Sequence, residues 1–184
     1  MNSLVRVVCF ASCLAAIGAS LPAAAAAQTI PFSQRGTVSQ NVGFTSVAIE
    51  YGRPVQRGRN LFGELVPWDS VWHPGADSAS RLTVSRDITI EGRELKAGAY
   101  SLWLIPRREG PWTLILSRQD RAFHRPYPGA DKDALRVDVA PLQSSPMESM
   151  AFYFHSIVRD DAELRLHWGT TYLPVRIKAP WRPS

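Results

Sequence analysis

The sequence predicts an all-β fold: an antiparallel β-sandwich or jelly-roll-like pair of sheets, with long irregular loops and little or no helix. Three observations predict it. From residue 46 to residue 178, short runs alternate apolar and polar residues with the period of two that a half-buried strand requires. Glycine and proline fall between these runs, where turns are needed. No stretch of a dozen residues carries the apolar spacing of an amphipathic helix. Many short strands with Gly/Pro turns are the pattern of a sandwich.

Residues 1–27 read as a removable leader. Arg6 is the only charge before Arg35, an apolar core follows it from Val7 to Leu21, and the alanines at 23–27 offer Ala-x-Ala cleavage, ending at Ala27 before Gln28. Phe10-Ala11-Ser12-Cys13 resembles a lipobox, but its Phe and its short apolar core make lipid anchoring at Cys13 the weaker alternative. The mature chain, residues 28–184, is then a single β-sandwich domain, periplasmic or extracellular, with no transmembrane segment. Its alanine-rich leader is only weakly apolar.

Residues 28–44 form a leader strand or loose arm. In 46–51, Val47, Ile49 and Tyr51 share one strand face. The stretch 51–81 is irregular, broken by Pro54, Gly58, Pro67 and Pro74-Gly75. Strands follow over 82–84, 88–90, 100–105, 112–116 and 135–139, and a second irregular stretch spans 118–132. A hairpin closes the chain: 150–158, a turn at 159–162, then alternating Leu164, Leu166 and Trp168. A strand carrying Leu173, Val175 and Ile177 ends it. Pairing about that turn sets His155 opposite Leu166 and Ser156 opposite Arg165.

Composition excludes several function classes. The only cysteines, Cys9 and Cys13, leave with the leader, which removes disulfides, thiolate metal sites and cysteine catalysis from the mature chain. The formal net charge is +5, and all but three of the basic residues (Lys96, Lys132, Lys178) are arginine. These charges are scattered among acids rather than aligned in a stripe, so no nucleic-acid partner is expected. Gly-x-Ser-x-Gly, Walker and dinucleotide glycine motifs are all absent, so no cofactor is expected.

The ordered string Tyr51-Gly52-Arg53-Pro54, Gly58-Arg59, Phe62-Gly63, Leu65-Val66-Pro67, Trp72 and Gly75-Ala76 resembles the domain of unknown function 2911 family of exported bacterial proteins. Gly98-x-Tyr100-Ser101-Leu102, Pro106, Trp112 and Leu166-x-Trp168-Gly169 continue the resemblance across the mature chain. The family pattern looks like Trp-Arg-Thr-Gly-Ala-Asn where this chain has Trp72-His73-Pro74-Gly75-Ala76-Asp77. The resemblance implies an exported β-rich fold and brings no activity with it.

Loops carry sites more often than strands do. In the first loop, Arg53, Arg59, Trp72 and His73 form the candidate ligand-binding set, with tryptophan faces for a flat ligand and guanidinium groups for an anion. The structural alternative is that the tryptophans plug the sandwich and the arginines brace turns. His73, Asp77 and His124 are the candidate catalytic set, with Arg53 as anion stabiliser in a hydrolase reading. The histidines at 73, 124, 155 and 167 lack the spacing of a helical zinc motif, so no metal site is expected. The leading expectation is a non-catalytic module of the cell envelope that binds a small molecule or an envelope partner. A hydrolase and a purely structural or assembly role are the alternatives.

Overall fold

Side-chain alternation translates directly into which face of each strand is buried. The computed structural model describes residues 30–180. The leader and its cleavage site at Ala27 lie outside these residues. Ten strands form among the described residues: β1 (Gln34–Val42), β2 (Thr45–Arg53), β3 (Arg81–Val84), β4 (Ile88–Ile90), β5 (Arg93–Leu95), β6 (Gly98–Ile105), β7 (Trp112–Ser117), β8 (Asp133–Val139), β9 (Leu142–Val158) and β10 (Asp161–Lys178). One 3-10 turn at Ala130–Lys132 is the only helical piece described. No helix among the described residues is long and apolar enough to cross a membrane.

The strands make two antiparallel sheets, one in the order β1-β2-β3-β6-β7-β8 and the other β5-β4-β10-β9. Val47, Ile49 and Tyr51 of β2 point inward, as do Leu135, Val137 and Val139 of β8. From the second sheet they meet Phe152, Leu164, Leu166, Leu173, Val175 and Ile177 in one apolar core. The Tyr51 hydroxyl crosses between the sheets and accepts the Phe152 N–H at 3.2 Å.

Strands β6 and β7 are buried on both faces. Leu102, Leu104, Leu114 and Leu116 belong to the core between the sheets. Trp103 and Ile115, out of phase with them, face the other way into a small second core with Ala79 and Ala122. A one-layer cover over the outer face of the first sheet therefore exists, and the two irregular stretches supply it.

The final hairpin differs from the sequence expectation. Its turn is two residues shorter, with Arg159 at φ 58, so Val158 pairs with Asp161 and Ser156 with Glu163. A bulge between Glu163 and Leu164 then sets His167 opposite Ala151. His155 pairs with neither Leu166 nor His167, and its side chain is exposed. Strand β9 also begins at Leu142, not near Met150. It is an edge strand, and Pro146 falls between the Gly169–Met147 and Thr171–Gln143 pairs, where the register with β10 shifts. Likewise the two expected C-terminal strands run as one, because register shifts around Gly169 bend β10 without ending it.

Candidate functional site

The first loop leaves the first sheet at Arg53 and crosses to the second. Pro54 O accepts the Met150 N–H at 2.9 Å, and the Gln56 N–H reaches Glu148 O at 2.8 Å. Arg53 braces this crossing, its Nε donating to Met150 O at 3.1 Å. Arg59 closes the turn beyond, donating from Nε to Gln56 O at 2.8 Å and from Nη2 to Val55 O at 2.6 Å. An aromatic plug follows, in which Phe62 contacts Trp68, Trp72 and Trp112. Gly63, at φ 96, admits the Trp68 indole: a Cβ there would lie 2.4 Å from its Nε1.

Trp72 then takes up the pairing position beside β6 that β3 leaves open, exchanging both backbone hydrogen bonds with Leu104 at 2.8 and 2.7 Å. Its ring stacks on Trp168 with centroids 6.1 Å apart. The next side chain, His73, is buried, 2% exposed, with its ring edge-on to Trp103. Ser80 Oγ donates to Pro74 O at 2.5 Å and fixes the bend that follows.

The second loop reaches the same place across the outer face. Its start is held by Arg81 Nε on Asp120 Oδ2 at 2.8 Å and by the Ala79 N–H on Ala122 O at 3.0 Å. Its far side is held by Tyr127, which packs on Trp103 and donates its hydroxyl to Asp133. Between these anchors His124 meets His73, Nδ1 to Nε2, at 2.6 Å.

The loops enclose a cleft of about 640 Å³. Trp72, Trp103, Tyr127 and Trp168 form flat walls, Val66 and Pro67 add apolar surface, and the polar contributors are Arg57, Arg59, Arg125, His73 and His124 with Ser33 and Ser70. Among the described residues no carboxylate lines it. Two other surface depressions carry both signs of charge, and there Asp87 pairs with Lys96 and Glu91 with Arg176.

Burial is the main reason the His73 imidazolium is disfavoured, its pKa falling from 6.5 to about 4. The nearby His124 and Arg125 charges push the same way, and Asp77 opposes them weakly. His73 is thus neutral at pH 7, with one N–H for two ring nitrogens. Its Nδ1 is buried without a hydrogen-bond partner. A buried N–H without an acceptor costs more than a bare lone pair, so the proton belongs on Nε2, donated to His124 Nδ1.

Of the residues singled out from the sequence, Arg59, Trp72, His73 and His124 line one cleft. Arg53 does not, because its guanidinium is turned to Met150 O as a brace. Asp77 is exposed, at φ 63, and makes no hydrogen bond to either imidazole. His167 lies elsewhere, between the Tyr153 hydroxyl and Ser145 O. Among the described residues no group of three or more His, Cys, Asp or Glu is placed to hold a metal ion. Sequence reasoning did not single out Arg125, Tyr127 or Trp103 as site residues. The parity of Trp103 against Leu102 and Leu104 is the signal that places it on the opposite face.

The chain matches the family described as protein of unknown function (DUF2911) over residues 33–177. It belongs to the DUF2911 family. The matched span runs from just before β1 to the penultimate residue of β10, so it includes both cleft loops of this DUF2911 protein. No curated protein and no solved structure matches the chain.

Proposed function

We propose that this DUF2911 protein is an exported, non-catalytic module of the cell envelope that binds a small ligand in the cleft between residues 51–81 and 118–132. The observation that carries this reading is the cleft itself. Two loops, the first pinned to the sandwich by backbone hydrogen bonds, the second by the Arg81–Asp120 and Tyr127–Asp133 side-chain contacts, and both joined through the imidazole pair, hold about 640 Å³ open between aromatic walls. That volume is in the usual range for small-molecule sites, and concave apolar walls with a few polar groups are their usual lining.

The hydrolase alternative draws less support. His73 with a pKa of about 4 is a weak base at neutral pH, and its Nδ1 faces no orienting carboxylate. The test is a thermal-shift and native mass-spectrometry screen of the purified protein against amino acids, organic acids, sugars and cell-wall fragments. A stoichiometric binder whose stabilisation disappears in Trp72→Leu is expected. No binder for the wild type, or equal binding by the variant, overturns the reading. Turnover of chromogenic ester, phosphoester or glycoside substrates that is lost in His124→Ala overturns its non-catalytic part.

A further inference from the structure

Four arginines on this fold pair with carboxylates among the described residues. Arg81 pairs with Asp120, Arg136 with Asp133, Arg165 with Glu163 and Arg176 with Glu91. None of the cleft arginines is among them. Arg59 spends Nε and Nη2 on backbone carbonyls and pairs with no carboxylate among the described residues. Arg57 lays its guanidinium 4.7 Å from the centre of the Phe32 ring, and although its backbone N–H donates to Glu148 Oε1 at 2.7 Å, its side chain forms no ion pair among the described residues. Arg125, on the opposite loop, is exposed and forms no ion pair among the described residues. Three cations therefore border one concavity from both of its loops, and among the described residues no carboxylate lines it.

We infer that the ligand of this cleft is a small organic anion: a carboxylate or similar oxyanion carried on a ring that can stack on an aromatic face. This rests on the binding reading above and names the chemical class that the site would take. Unpaired cations in a low-dielectric concavity raise the local concentration of anions. Guanidinium groups recognise carboxylates through two parallel N–H donors, a geometry lysine does not offer. The flat part of the ligand has the Trp72 and Tyr127 faces to lie against. An aromatic acid and a sugar acid share this chemistry.

Isothermal titration at low salt separates the possibilities with two matched pairs, 4-hydroxybenzoate against 4-hydroxybenzamide and galacturonate against galactose. At least one acid is expected to bind tenfold or more tightly than its neutral partner and to weaken as salt rises. An Arg57→Ala/Arg125→Ala double variant should lose that preference. Both side chains are exposed, so the variant should keep its fold, which circular dichroism checks. An Arg35→Ala/Arg93→Ala double variant, altered away from the cleft, should keep the preference. Whichever pair responds identifies the ring. Acid and neutral partner binding equally, with both lost in Trp72→Leu, overturns the anion inference and leaves the binding reading standing. An acid preference that survives in Arg57→Ala/Arg125→Ala reports general surface charge and also overturns it. Absence of binding by every acid overturns the inference, and the binding reading falls with it only if the wider screen is empty too.

Discussion

The His73 side chain makes this protein's stability depend on pH in a window that can be calculated. In the unfolded chain the imidazole takes up a proton near pH 6.5, whereas in the folded protein it does so only near about 4. As pH falls through that window the unfolded state gains a proton that the folded state refuses, so stability is lost. Above the window none of it is lost. The whole gap corresponds to about 3 kcal/mol at about 1.4 kcal/mol per pH unit, and between pH 7 and pH 4.5 the loss is about 2 kcal/mol. Replacing His73 by Gln removes the titration, and its amide can still donate to His124. Urea unfolding of both proteins at pH 7 and pH 4.5 gives four free energies. Other acid-sensitive groups, such as Asp131 beside Lys132, act in both proteins and cancel in the comparison. The wild type should lose about 2 kcal/mol more than His73→Gln on acidification. Superimposable pH profiles would show that His73 is not a buried neutral imidazole, and the account of the loop junction would fail with it.

Three further outcomes follow from the same geometry. Gly52→Ala drives a Cβ to 2.2 Å from Ala76 O and 2.9 Å from Ala76 C, so the segment after His73 must shift; the cost should be about 1–3 kcal/mol by chemical denaturation, and an unchanged midpoint would mean Ala76 does not rest on β2. Arg53→Ala removes the half-buried brace on Met150 O and should cost about 1–2 kcal/mol while leaving ligand affinity within about twofold; a large affinity loss at unchanged stability would restore Arg53 to the site. Export with cleavage predicts that N-terminal sequencing of protein from the envelope fraction begins at Gln28, and an intact Met1 or a lipid-modified Cys13 would refute it.

What the sequence determined by itself is the class of fold and the location of its irregular parts. A period of two needs only neighbouring residues to be visible, so Val47-Ile49-Tyr51 and Leu135-Val137-Val139 declared their buried faces without any partner strand in view. The loops were legible for the converse reason, since proline and glycine forbid regular pairing locally. Register was not legible, because it depends on turn length: a turn two residues shorter moved His155 away from its expected partner and left a bulge to place His167. The site was legible only in part. That His73 and His124, 51 residues apart, share a hydrogen bond follows from the second loop running back over Trp103 and Ile115, and nothing in either local stretch encodes that path. Arg53 and Arg59 look alike in sequence, each in a short Gly/Pro-rich turn, yet only Arg59 faces the cleft. Tertiary structure decided this, because where a long flexible side chain finds its acceptor depends on which carbonyls the folded chain brings within reach.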